Sequence, residues 1–187
     1  MLVDSHCHLD HLDLSDREGG LNGVIDAAQA RGITHFLSVA VDMTTSRSLI
    51  DLTAQFDNVY SSVGVHPLQK TPQPVPSIEE LVSLAQQPRV VAIGETGLDN
   101  FYSSETIDWQ RQSFVNHLQA CQEIAKPVII HTRDARDETI ELLGDCFLRR
   151  RLGPAVEPAL RLIDDLGSNF EKIVGVPDDD QPKWHGL

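Results

Sequence analysis

Five short apolar runs recur along the first part of the chain, at positions 2–3, 34–41, 59–65, 90–94 and 127–131. They are continuous rather than alternating, the pattern of strands buried on both faces. Between them lie stretches of helical character at 21–31, 45–55, 78–86, 105–125 and 134–143. In the fourth, Leu118, Cys121, Gln122 and Ala125 fall at helical spacing. Ser77 followed by Glu80 predicts a capping box, and Lys126-Pro127 predicts a sharp end to the long helix.

Strand and helix therefore alternate through five βα units. Short connections in that order imply parallel strands joined by right-handed crossovers. An open doubly wound sheet and a (β/α) barrel both satisfy the pattern. A full barrel needs eight units and typically about 250 residues, and this chain has 187. The expected fold class is α/β, with both architectures open on the pattern alone, in five units followed by an irregular C-terminal segment. Five strands on their own leave two sheet edges open.

The texture changes after Leu143, so the expected division is 1–143, a domain of βα units, and 144–187, a divergent segment. The latter carries a basic run at Arg149, Arg150 and Arg151 and an acidic run at Asp178, Asp179 and Asp180, with Pro154, Pro158, Pro177 and Pro182 as breakers. A helix is expected at 157–166, a short strand at 172–176, and disorder from 177 onward.

Composition narrows the class. Hydrophobic residues make up 41% and charged residues 23%, as in a soluble globular protein. The net charge of −13 repels nucleic-acid phosphate unless cations or a local basic patch intervene. Three scattered cysteines, Cys7, Cys121 and Cys146, form no framework and suggest a reducing compartment. The first residues read as a strand rather than as a basic-then-apolar leader, and no apolar run approaches the roughly 20 residues of a membrane span. The expected location is cytoplasmic, with no membrane partner.

Polar residues collect where the apolar runs stop. His6 and His8 follow the first, His66 the third, Glu95 the fourth, and His131 with Arg133 the fifth. In parallel α/β folds the carboxyl ends of the strands open onto one face, where active sites form. Three imidazoles and a carboxylate (His6, His8, His131 and Glu95) suit a first-row divalent ion, and Glu95 is placed to bridge two. Arg133 offers a planar fork for phosphate, and His66 a contact to substrate or to a ligand. His11, His35, His117 and His185 read as surface or structural residues, Asp10 and Asp13 as loop caps, and Cys7 as core filler.

Four segments carry a family resemblance: Val3-Asp-Ser-His-Cys-His-Leu-Asp10, Val63-Gly-Val-His-Pro67, Val91-Ala-Ile-Gly-Glu-Thr-Gly-Leu-Asp99 and Lys126-Pro-Val-Ile-Ile-His-Thr-Arg-Asp-Ala135. In this order, over residues 1 to about 143, they closely resemble the TatD family of metal-dependent deoxyribonucleases, amidohydrolase-like barrels that hydrolyse DNA with magnesium, manganese or zinc. The resemblance implies metal ligands at His6, His8, Glu95 and His131, a catalytic role for Glu95, one or two divalent ions, substrate contacts at His66 and Arg133, and DNA as substrate. The family's pattern continues with a His-Cys-Phe motif on a strand and an Asp in a Glu-Thr-Asp motif. Neither occurs here: Asp145-Cys146-Phe147 has Asp in place of His, and 168–173 matches the closing helix only briefly. On that reading the fold is an incomplete TIM-type (β/α) barrel, residues 1–143 are a metal-dependent hydrolase domain forming that partial barrel, and the chain is truncated or altered after about residue 143. Two other functions stay open: a small-molecule amide or ester hydrolase on the same scaffold, and a catalytically impaired metal-binding remnant.

Overall fold

A computed structural model describes residues 2–69, 73–148 and 172–174. Five parallel strands, β1 (Leu2–Cys7), β2 (Ile33–Ser38), β3 (Val59–Val63), β4 (Val90–Asp99) and β5 (Val128–Arg133), lie side by side in chain order. Helices α1 (Gly20–Gln29), α2 (Met43–Thr53), α3 (Ile78–Ala85), α4 (Ile107–Ile124) and α5 (Arg136–Leu143) alternate with them. Sequential order with parallel pairing is the arrangement of a (β/α) barrel, here with five of its units. A sixth strand, β6 (Lys172–Val174), pairs antiparallel with β5, within the expected 172–176. The helix expected at 157–166 and the disorder expected from 177 lie outside the described residues.

Local chemistry sets the helix ends. Asp42 caps α2 through Thr45 N–H, and the Thr45 side chain returns the bond to Asp42 N–H, a reciprocal capping box. Ser77 Oγ accepts from Glu80 N–H at the start of α3. α4 stops at Ala125, in the left-handed region at φ 53°, just before Lys126-Pro127.

The main core lies between the sheet and helices α3 and α4. It contains Leu81, Ile93, Leu98, Phe114, Leu118 and Val128, each fully buried. A second cluster of Leu9, Ile25, Phe36 and Val59 lies with Leu21 and Ala28 of α1. Leu37, Val39, Ala92 and Ile129 form a third, joined by Tyr60. The expectation of strands buried on both faces fails at β1, where Leu2 is 59% and Val3 47% exposed. Among the described residues β1 pairs only with β2, so its outer edge has no neighbouring strand.

Three strands outrun their predicted length; β5 runs two residues past its expected end at 131, to Arg133. β1 continues to Cys7 and so includes His6. β4 continues from the expected Gly94 to Asp99 and so includes Glu95 rather than ending before it. The reading of Gly94 as a stop was wrong because the glycines here permit close backbone approach instead of a turn. At Gly97 (φ +143°) a Cβ would come within 1.9 Å of the His131 carbonyl oxygen. With hydrogen alone at that position, β4 slides against β5 and pairs Gly97 with His131 and Asp99 with Arg133.

Candidate metal centre

His6, His8, His66, Glu95 and His131 converge toward one side of the sheet, with His6, Glu95 and His131 inside their strands and His8 and His66 beyond the ends of β1 and β3. Glu95 is at the centre, 1% exposed. Its Oε2 lies 3.5 Å from His6 Nε2, and its Oε1 lies 3.3 Å from His131 Nδ1 and 3.4 Å from His66 Nε2. Ligand-type atoms gather in two groups, His6–His8–Glu95 and His66–Glu95–His131, each within 4.8 Å and both using Glu95. The His6 and His8 rings leave the same side of β1 with centroids 5.3 Å apart, while Cys7 between them turns into the core and donates to Leu37 O.

Hydrogen bonds fix which nitrogen faces the centre in His8, His131 and His66. His8 donates from Nδ1 to Val39 O at 2.8 Å, which leaves the Nε2 lone pair available. His131 donates from Nε2 to Asp99 Oδ2 at 3.0 Å, which leaves the Nδ1 lone pair pointing toward Glu95. His66 is different. Its Nδ1 accepts from Leu68 N–H, so the neutral ring carries its proton on Nε2 and presents it to His131 Nδ1, 3.2 Å away. The tautomers thus give His8 and His131 the ligand form and His66 the donor form.

The electrostatics are those of a cation site. Burial pushes the Glu95 carboxyl up, but His131, His6 and His66 together pull it well below the usual carboxylate range. Burial lowers the His131 pKa, yet Glu95 and Asp99 outweigh it and hold the ring above the ordinary histidine value. Glu95 Oε1 is buried and takes no hydrogen bond. A buried charged oxygen in that condition is costly, and a divalent cation among the imidazole lone pairs would satisfy it. The donor set, nitrogen and carboxylate, fits such an ion.

Asp99 was not singled out from the sequence, although it stands four residues after Glu95 on the same strand. It is fully buried. Its Oδ2 holds His131, and its Oδ1 accepts from Phe101 N–H at 3.0 Å and Tyr102 N–H at 2.7 Å. His117 was expected to be structural and is wholly buried on α4. It donates from Nδ1 to Ser113 O and accepts at Nε2 from Val65 N–H, one residue before His66. Arg133, expected just after β5, is instead its last residue, with its guanidinium 5.1 Å from the Tyr102 ring centre. Asp13 Oδ1 caps its loop through Ser15. Asp145-Cys146-Phe147 lies on a π-helical turn, Gly144–Leu148, that continues α5, and not at a strand end.

Five ordered βα units with this imidazole–carboxylate cluster at their carboxyl ends define a barrel of the metal-dependent hydrolase kind. The chain belongs to the TatD-related DNase family, whose sequence profile matches residues 3–151. It is 46% identical over 145 residues to an uncharacterized metal-dependent hydrolase of Escherichia coli (strain K12), YcfH, covering 77% of this chain and 54% of that protein. It is 33% identical over 120 residues to the 3'-5' ssDNA/RNA exonuclease TatD of Escherichia fergusonii, covering 64% and 46%. The fold matches the crystal structure of YJJV, a TatD homolog from Escherichia coli K12, with a TM-score of 0.68 at 23% identity over 87% of this chain and 64% of that one. The chain spans about half the length of the curated relatives it matches. Among the described residues no helix is long and apolar enough to cross a membrane.

Proposed function

We propose that this chain carries the metal centre of a hydrolase that cleaves phosphodiester bonds in DNA. The observation that supports it best is Glu95 Oε1, a buried carboxylate oxygen without a hydrogen bond, set among imidazole nitrogens. Residues His6, His8 and Glu95 would hold one divalent ion, magnesium, manganese or zinc, and Glu95 with His131 a second. When bound, such an ion polarises a phosphoryl oxygen and lowers the pKa of a water.

The remaining roles belong to the protein's own groups. His66 presents Nε2–H to the same space and would donate to a phosphate oxygen as charge builds there. Arg133 would contact phosphate at the rim of the site. In a chain of net charge −13, these donors and the bound cations are what make the face acceptable to a polyanion. Asp99 keeps the His131 lone pair aimed at the centre.

The test is release of nucleotides from DNA by the purified chain with manganese, magnesium or zinc, beside Glu95→Ala and His6→Ala. Metal-dependent release that both variants abolish is the expected result. Equal release by the variants overturns the reading. Turnover of small esters or amides without action on DNA would transfer the site to small-molecule hydrolysis, and metal uptake with no turnover would mark a catalytically impaired centre.

A further inference from the structure

Just past β4 the chain exposes two aromatic rings in succession, Phe101 and Tyr102, each 61% exposed. Their centroids are 4.5 Å apart and their planes 87° from parallel. Arg133 extends over the Tyr102 ring, 5.1 Å from its centre. Large rings this open on a turn do not serve the core, and none of the roles described above uses them.

Hydrogen bonds of Asp99, Asn100 and Gln110 tie the turn down. Phe101 N–H and Tyr102 N–H both donate to Asp99 Oδ1. Asn100 N–H donates to Arg133 O at 2.9 Å, and Asn100 Nδ2 to Asp134 O. Gln110, buried on α4, receives Asp99 N–H and donates to Ser103 O. The other oxygen of Asp99 holds His131. One carboxylate therefore fixes a ring of the metal cluster and the backbone beneath the two exposed aromatics. A surface that is rigid before binding loses little entropy when it binds.

Resting on the phosphodiesterase reading above, we infer that Phe101 and Tyr102, backed by Arg133, form a stacking platform for an unpaired nucleobase next to the phosphate held at Glu95 and His131. Aromatic faces stack any base, since each base has a π-face. The guanidinium supplies positive charge beside the rings on an otherwise acidic chain, where the polymer's backbone must pass. A base paired within a duplex keeps its faces covered by its neighbours, so the platform selects single strands, frayed ends and unstacked nucleotides.

The experiment measures binding to the metal-loaded chain, with phosphorothioate linkages in each probe to resist cleavage. The probes are fluorescein-labelled oligothymidylate and an abasic oligomer of equal length and charge. Phe101→Ala/Tyr102→Ala is expected to weaken binding of oligothymidylate by roughly tenfold to a hundredfold, from the loss of base–aromatic stacking. The abasic oligomer should bind wild type and variant alike, and Tyr102→Phe should restore Tyr102→Ala. An equal loss on both oligomers, no loss on either, or no binding of oligothymidylate by wild type each overturns the platform. So does a change in the sedimentation of the variant with unaltered affinity, which would assign the rings to a contact between copies of the chain. Failure of the nuclease reading looks different: the metal-loaded wild type would bind oligothymidylate with the expected base dependence and release no nucleotide.

Discussion

Asp99 Oδ2 lies 3.0 Å from His131 Nε2, and this contact decides which nitrogen of the ring faces Glu95. With the proton held at Nε2, the lone pair at Nδ1 is available to a cation. The Asp99→Asn side chain keeps an oxygen for Phe101 and Tyr102 N–H but puts an amide in place of the oxygen that orients the ring. Divalent-ion affinity measured by calorimetry is expected to fall roughly tenfold to a hundredfold, with the melting temperature close to that of wild type. An unchanged affinity would show that the ring is oriented by other contacts.

His117 predicts how stability depends on pH. Burial pushes its pKa from 6.5 down to about 4, against a smaller opposing effect from Ser113 O. The folded chain then binds fewer protons than the unfolded chain between these values. The contribution is fully present above about pH 6.5 and is lost as pH falls toward 4. The loss should approach about 3 kcal/mol at the acid end. Urea unfolding at a series of pH values checks it: His117→Gln should be less stable at neutral pH and lack this part of the acid slope. Parallel slopes would mean that other groups set the acid limit.

Gly97→Ala is expected to cost at least about 3 kcal/mol, since the new methyl meets the His131 carbonyl and the backbone sits at a positive φ. Thermal unfolding followed by circular dichroism provides the measurement. A melting temperature within a degree or two of wild type would contradict the close approach of β4 and β5.

Swapping His66 for Gln separates donor from ligand. Gln keeps an N–H donor and cannot supply an imidazole lone pair. If the ring acts through Nε2–H, the number of divalent ions bound, counted by atomic absorption after dialysis, stays as in wild type while nucleotide release slows by about tenfold to a hundredfold. Loss of a bound ion in His66→Gln would instead make this ring a ligand.

The βα rhythm was legible because each strand is short, apolar and bounded by polar or glycine residues, and the structure keeps all five units in order. His6, His8, His66, Glu95 and His131 were legible because parallel strands gather their carboxyl ends on one face, so position along the strand was sufficient. What stayed hidden depended on contacts across the sheet. Gly94 and Gly97 look like chain breakers, yet they let β4 run on to Asp99, so the partner of His131 lay beyond the apparent end of the strand. His117 is 52 positions from Val65, and its position within α4 gives no hint that its ring faces that backbone amide. Phe101 and Tyr102 look like core residues by composition, and only the turn held by Asp99 turns them outward.

Glu95 belongs to both groups of ligand atoms, so on the proposed reading their occupancies would be interdependent. A cation in one group withdraws charge from the carboxylate that the other group needs, while also orienting its second oxygen. Whatever factor the first ion applies to the affinity of the second, the second applies to the first. With two ions bound, a titration of this centre would therefore be governed by a coupling free energy as well as by two intrinsic affinities, and the sign of that coupling would set whether partly loaded chains accumulate.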